Sequence, residues 1–170
     1  MEKVAVMPDS CNVDCNTIVT DKICKESIIT GMETSKVFVS RSHGLPTCIL
    51  INDDSAGADS MYLEVTDIYN FETNIALIDL SDCDLVAFIA CQTGAHSDNQ
   101  GIIHAAVAAG ADAAIGFGQS ISTDKADTWM MHFLNFYMQG YSINNSIVEA
   151  LALESGGRMD SVILYTGSNQ

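Results

Sequence analysis

A short, nearly unbroken apolar run limits what this chain can fold into. Residues 84–91 read DLVAFIAC, with one charged residue at the start of the run. The run is too short to cross a membrane as a helix. It also lacks the strict alternation expected of a strand with one exposed face. A continuous run of this length is typical of a central strand that is covered on both faces, as in parallel sheets.

Strand-like and helix-like segments alternate along the rest of the chain. Apolar runs and turn residues predict strands at 3–7, 36–42, 48–52, 61–65, 113–117 and 161–165. Helical spacing predicts helices at 16–31, which Gly31 would end, and at 99–109, 123–139 and 143–153. Residues 67–80 are ambiguous and partly helical. This order predicts an α/β fold with a mostly parallel sheet, formed as a single domain by residues 1–170.

The charge balance narrows the classes of partner. The 170 residues include 22 Asp and Glu against 7 Lys and Arg, a net charge of −15. This acidity argues against binding to nucleic acid, which needs a basic face, and to anionic membranes. Apolar residues make up 48% of the chain, enough to build a core. No apolar stretch has the length of a spanning helix or of a signal peptide, so a cytoplasmic location is expected.

Neither the cysteines nor the acidic residues predict a metal or cofactor. The six cysteines include no C-x-x-C pair, so zinc is not expected, and Cys48 and Cys83 are expected in the core. The acidic loop at 53–59 lacks EF-hand spacing, which makes a solvated loop the simpler interpretation than calcium binding. A G-x-x-x-x-G-K phosphate loop is also missing. We therefore expect no cofactor and no bound metal.

Two predicted strands deliver a reactive side chain into a loop that contains glycine. One runs into His43-Gly44 and the other into Cys91, with Gly94 three residues later. If the strands are parallel neighbours, both side chains leave the sheet at the edge where open sheets carry their sites. An imidazole near the thiol would raise its thiolate fraction and protonate a leaving amine. The simpler alternatives are a loop histidine bonded to backbone and a buried thiol at a strand end.

Together the two motifs resemble the caspase-like (clan CD) cysteine peptidases, and most nearly the bacterial CHAT, gingipain and clostripain-like domains. SRSHG at 40–44 and FIACQTG at 88–94 match in order, and ACQTG is similar to the A-C-x-T-G of CHAT domains. The resemblance covers residues 35–167. It implies a three-layer α-β-α sandwich and an endopeptidase that works through an acyl-enzyme. Cys91 would be the nucleophile, His43 the general acid/base, and the N–H groups of Gly44 and Cys91 the oxyanion hole.

The substrate pocket departs from some members of this group. Clostripain-like members place an Asp two residues before the cysteine to bind a basic side chain, and this chain has Ile89 there. Gingipain-like members use an acid near the end of an early strand, a role that Asp9 would fill. With the acidic composition, this favours a peptide or protein substrate with a basic P1 residue. Gln92 and His96 follow the cysteine closely and are expected to line the cleft.

The short region before the His43 strand leaves other interpretations open. Fuller members carry more sheet there, so the chain is expected to be truncated on that side, to be part of a longer chain, or to be completed by a partner domain or subunit. One alternative function is a catalytically inactive caspase-like scaffold that binds partners. Another is a flavodoxin-like or receiver-like binding domain, in which His43 and Cys91 have no common role.

Overall fold

The architecture comes from a computed structural model that describes residues 25–51, 62–96, 98–153 and 161–167. Within these ranges the helices are α1 (Lys25–Thr34), α2 (Val65–Ile68), α3 (Ile102–Ala108), α4 (Thr123–Met138) and α5 (Ile143–Ala152). The strands are β1 (Val37–Arg41), β2 (Gly44–Leu45), β3 (Cys48–Leu50), β4 (Tyr62–Glu64), β5 (Tyr69–Asn70), β6 (Ile75–Ala76), β7 (Leu85–Ile89), β8 (Ala113–Phe117) and β9 (Val162–Thr166). The predicted strand at 3–7 and most of the predicted helix at 16–31 lie outside the described residues.

The central sheet has the order β1-β7-β8-β9. β1 and β8 both run parallel to β7, and β9 runs antiparallel to β8. The sheet is therefore mostly parallel, as predicted, with an antiparallel strand at one edge. An antiparallel edge strand on an otherwise parallel sheet is common in α/β folds.

The residues of β7 build two cores, one on each face of the sheet. Successive side chains of a strand point to opposite faces, and every residue of β7 is buried. On one face Leu85, Ala87 and Ile89 pack with residues of α4 and α5, including Trp129 and Phe133. On the other face Val86 and Phe88 pack with residues of α3 and of the smaller sheets. The described chain therefore forms the helix–sheet–helix layers of an α/β sandwich, and the prediction of a strand covered on both faces is confirmed.

Two segments differ from their predictions. Gly31 was expected to end the first helix, and this was wrong, because α1 continues to Thr34. The ring of Phe38 lies 3.5 Å from where a Cβ of Gly31 would be, so packing on β1 continues past the glycine. In 67–80 only the short α2 is helical, and β5 and β6 form a hairpin. Asn70 accepts the N–H groups of Glu72 and Thr73, both at 3.0 Å, which closes the turn.

A small antiparallel sheet of order β2-β3-β4 follows directly after His43. Ile49 and Leu63 from its inner face are buried in the core beneath it. The N–H of Ile102, the first residue of α3, donates to Pro46 O at 2.9 Å and fixes the β2–β3 hairpin. None of the helices in the described ranges is long and apolar enough to cross a membrane.

Candidate active site

The pairing of β1 with β7 brings the two motif-bearing strand ends together. Their last Cα partners are Arg41 and Ile89, and the N–H of Ser42 continues the ladder to Ile89 O at 3.3 Å. His43 and Cys91 each follow two residues beyond that last pair. Both residues therefore lie at the carboxyl edge of adjacent parallel strands, where a common site can form.

Gly44 packs closely against the turn that carries the cysteine. A Cβ on Gly44 would lie 2.7 Å from Ala90 Cβ, 2.9 Å from Thr93 Cγ2 and 3.1 Å from Cys91 O. Contacts below 3.0 Å are not tolerated by real Cβ atoms. Only glycine allows the backbone after His43 to approach Cys91 this closely.

The turn from Cys91 to Gly94 is tied to β8 and to the loop after it. Gln92 has a φ of 59°, a left-handed conformation that costs energy outside glycine and persists where neighbours hold it. Its N–H donates to Gln119 O at 3.2 Å, and the N–H of Gly94 donates to Phe117 O at 3.0 Å. These bonds fix the position of the backbone that carries the thiol.

The hydroxyl of Thr93 lies at the centre of the turn and is fully buried. It lies 3.0 Å from Ala90 O and 3.2 Å from Phe88 O, and it accepts the N–H of Phe117 at 3.3 Å. One side chain thus joins the ends of β7 and β8. Buried hydroxyls that satisfy several backbone groups in this way rigidify their surroundings.

The thiol of Cys91 is half-buried and contacts the loop after β8. The N–H of Ile121 donates to Sγ at 3.4 Å, and Sγ lies 3.6 Å from Ile121 O. His43 follows β1, which pairs with β7 on the side opposite to β8, and its side chain is exposed. No hydrogen bond joins Sγ of Cys91 to the His43 ring in the described part of the chain.

Two backbone N–H groups at this edge point away from the hydrogen bonds that their own peptide carbonyls make. The carbonyl of His43 accepts the N–H of Leu50 at 2.8 Å. Because a trans peptide directs its N–H opposite to its C=O, the N–H of Gly44 points away from β3. In the same way, the carbonyl of Ala90 faces the Thr93 hydroxyl, so the N–H of Cys91 points away from Thr93. Both N–H groups are therefore available to an external acceptor.

The remaining residues predicted to bind substrate are placed differently. Asp9 lies outside the described residues. Gln92 is half-buried in the turn beside the thiol. His96 lies near the start of α3, with Nδ1 beside the carboxylate of Asp98 and Cβ against Gly101. That Gln92 and His96 line a cleft stays a prediction.

His104 completes a polar cluster with His96 and Asp98. The N–H of Gly101 donates to His104 Nδ1 at 3.2 Å, and the ring packs edge-on against Tyr165. Burial, and then the neighbouring His96, lower the pKa of His104 below its ordinary value. Burial of the ring therefore favours the neutral form of His104 at the beginning of α3, against the opposing effect of Asp98.

Among the described residues, no group of three or more His, Cys, Asp or Glu is arranged to hold a metal ion. Cys48 and Cys83 are buried in the core, as predicted. Burial raises the pKa of both thiols above the ordinary value. These two thiols are therefore poor nucleophiles, and Cys91 differs from them in its exposure.

Comparison with known families decides the affiliation. The family model of the CHAT domain matches residues 34–156, which is more than half of the chain and includes both His43 and Cys91. The chain belongs to the CHAT domain family. CHAT domains are caspase-like and protease-related, so the predicted family and fold class are confirmed. No curated protein matches the chain significantly.

Two features of the CHAT site escaped the sequence analysis. The sequence carries a signal for the role of the Thr93 hydroxyl, because threonine in a turn after a strand often bonds to nearby backbone. It carries no signal for the contact between Cys91 and Ile121, since the two residues are 30 positions apart. Their proximity depends on how β8 pairs with β7.

Proposed function

We propose that this CHAT domain is a cysteine endopeptidase with Cys91 as nucleophile and His43 as general acid/base. The parallel pairing of β1 with β7 supports this proposal most, since it brings both residues to one edge of the sheet. The contact of Gly44 with the carbonyl of Cys91 supports it further, because it holds the two loops against each other. Thiol nucleophiles need such a base, since a free thiol is mostly protonated at neutral pH.

The proposed reaction has two halves. His43 takes the proton of Cys91, and Sγ attacks the carbonyl carbon of the scissile peptide. The carbonyl π electrons move to the oxygen, and the N–H groups of Gly44 and Cys91 bind that oxyanion. The intermediate expels the amine, which takes the proton from His43 and leaves a thioester on Sγ. Water then attacks the thioester and gives its proton to His43, and the acid is released as the thiol re-forms.

The free N–H groups have a defined energetic role in this reaction. Removal of one oxyanion-hole donor costs about 3 kcal/mol of transition-state stabilisation in comparable sites. Proton transfer by a positioned histidine contributes about 10²–10⁴-fold to the rate. Before reaction the thiol would rotate from Ile121 towards His43. Catalytic hydrogen bonds of this kind often tighten only when substrate is bound.

For the substrate, we propose a peptide or protein with a basic P1 residue. The net charge of −15 supports a preference for basic side chains, because it attracts them at long range. Asp9 is the carboxylate proposed to bind that side chain. Replacement of Asp9 by Asn is expected to lower kcat/KM for Arg and Lys at P1 and to leave neutral P1 residues unaffected.

An inactive scaffold is the second candidate function, and one observation favours it. Sγ of Cys91 is engaged by the backbone of Ile121 rather than by the His43 ring. The two candidates differ in the acidity of this thiol. Alkylation by iodoacetamide at mildly acidic pH would label Cys91 of a dyad rapidly and Cys91 of a scaffold very slowly.

The deciding experiment is cleavage of a fluorogenic peptide library varied at P1. Cys91→Ala should lose activity by about a thousandfold or more, and His43→Ala by about a hundredfold or more. Cys83→Ala and His132→Ala are matched controls that should cleave as the wild type does. Equal cleavage by wild type and Cys91→Ala would exclude Cys91 as the nucleophile and favour the scaffold.

A further inference from the structure

We propose that Thr93 is a positioning residue that aims the oxyanion hole. The inference rests on the proposed peptidase function and assigns a role to a residue that touches neither substrate nor the reacting atoms. Its hydroxyl would set the direction of the Cys91 N–H, and its methyl group would set the position of Gly44. The two proposed donors would then depend on one buried side chain.

The first half of the argument is the geometry of one peptide unit. The hydroxyl of Thr93 lies 3.0 Å from the carbonyl oxygen of Ala90, and this carbonyl shares its peptide plane with the N–H of Cys91. Peptide bonds in the described part of the chain are trans. Fixing the C=O on one side of the plane therefore fixes the N–H on the other. A hydrogen bond to the C=O also polarises the peptide and strengthens its N–H as a donor.

The second half of the argument is what holds Thr93 itself. The side chain is fully buried, so it has little rotational freedom. Its oxygen accepts the N–H of Phe117 at 3.3 Å, which leaves the hydroxyl proton for the carbonyls of Phe88 and Ala90. Because Phe117 ends a fully buried strand, the reference point is rigid. The hydroxyl thus connects the direction of the Cys91 N–H to the most deeply buried part of the sheet.

The methyl group of Thr93 contacts the other donor loop. Its Cγ2 would lie 2.9 Å from a Cβ on Gly44, which places it in contact with the glycine backbone. The His43 carbonyl is bonded on the opposite side, to the N–H of Leu50. The Gly44 peptide is therefore held between β3 and Thr93. This arrangement gives the two parts of the side chain, hydroxyl and methyl, separate roles.

Three variants test the proposal on the full chain. Thr93→Val removes the hydroxyl and keeps the shape, and Thr93→Ser keeps the hydroxyl and removes the methyl. Thr128→Val is the matched control, because the Thr128 hydroxyl donates to Asp124 O within α4 and is exposed. Thr93→Val should lower kcat by about ten- to a hundredfold with KM nearly unchanged, since oxyanion stabilisation acts only in the transition state. Thr93→Ser should lose less kcat than Thr93→Val, because it gives up only the contact of the methyl group with Gly44.

A transition-state analogue supplies a second readout. With a peptidyl aldehyde that ends in the preferred P1 residue, Sγ of Cys91 adds to the aldehyde carbon. The carbonyl oxygen takes the thiol proton or remains an oxyanion in the hole. Thr93→Val should bind this aldehyde about tenfold or more weakly. Its alkylation by iodoacetamide, which uses no oxyanion hole, should match the wild type.

The outcomes separate this inference from the peptidase proposal. Wild type that neither cleaves peptides nor binds the aldehyde overturns both. Active wild type with unchanged kcat in Thr93→Val, or with a loss confined to KM, overturns the role of Thr93 alone. If Thr93→Val does not fold, Thr93→Ser and Thr93→Ala decide, because both lack the methyl and only Thr93→Ser keeps the hydroxyl. Equal kcat in those two variants contradicts the role of the hydroxyl.

Discussion

The central and the edge strands of the sheet support the two halves of the site differently. Every residue of β7 and β8 is buried, whereas β1 is half-buried and exposes Val39 and Arg41. Cys91 follows the buried β7, and His43 follows β1, an edge strand among the described strands. The proposed nucleophile is thus carried by the buried central strand of the sheet and the proposed base by its partly exposed edge strand.

The contacts that follow β7 and β1 differ in the same way as the burial of the two strands. The cysteine turn is held by backbone bonds to β8 and by the buried hydroxyl of Thr93. The histidine loop is held by the bond from Ser42 N–H to β7, by its pairing with β3, by the contact of Gly44 and by the ion pair of Arg41 with Asp127. We expect the adjustment that brings imidazole and thiol together to occur on the histidine side. Edge segments with few buried contacts open more readily than central strands.

The largest predicted effect compares one phenylalanine in each strand. Phe88 in β7 is fully buried, and Phe38 in β1 is half-buried. Phe88→Ala should lower the free energy of unfolding by about 3–5 kcal/mol, because it leaves a cavity in the core. Phe38→Ala should cost about half as much, because less of its ring leaves water on folding. Urea unfolding measures both, and equal losses would contradict the distinction between centre and edge.

A pair of glycines tests the contact between the two loops. Gly44→Ala forces a Cβ to within 2.7 Å of Ala90 Cβ and should separate the loops. We expect it to destabilise the fold by about 1–3 kcal/mol and to abolish most of the proposed peptidase activity. Gly31→Ala is the matched control. It lies within α1 with only ordinary contact to Phe38, so it should stabilise the chain by up to about 1 kcal/mol. Normal kinetics in Gly44→Ala would contradict the role of the contact.

The burial of His104 predicts that the stability of the folded chain depends on pH. Burial, and then His96, lower its folded-state pKa below the ordinary 6.5 that applies to the unfolded chain. The unfolded state therefore binds more protons as pH falls below 6.5, and stability is lost there, levelling off below the folded-state pKa. His104→Gln should flatten this slope. Urea unfolding between neutral and acidic pH measures it, and an unchanged slope would assign the effect to other groups.

The smallest predicted effect concerns the ion pair between Arg41, at the end of the edge strand β1, and Asp127. Nη2 of Arg41 lies 3.0 Å from Asp127 Oδ2, and both side chains are partly exposed. Asp127→Asn should cost about 0.5–1 kcal/mol, because exposed pairs are solvated and screened. The loss should shrink at high salt. A double-mutant cycle with Arg41→Gln isolates the pair. If Asp127→Asn lowers the free energy of unfolding by much more than Phe38→Ala does, the edge strand β1 is held by charge rather than by packing.

Much of the fold could be predicted because its signals are local. The run at 84–91 predicted a covered strand, and the spacing of Trp129, Met130 and Phe133 predicted α4. The helix predicted at 99–109 is α3, and Gly110 just after it has a φ of 117°, a conformation that glycine allows at a helix end. The predictions failed where packing competes with a local signal. Gly31 is retained within α1, and the apolar residues of 75–78 form a strand and its flank instead of a helix.

Residue type and short-range spacing were enough to predict the strands of the central sheet, the main helices and the two motifs, because each of these signals lies within a short segment of the chain. Tertiary structure alone decided that β9 runs antiparallel, that Ile121 lies against the thiol, and that Thr93 bonds across to Phe117. Such contacts join residues distant in the chain. They depend on how the strands pair and on which buried backbone groups still need a hydrogen-bond partner. No short segment of the sequence encodes either of these.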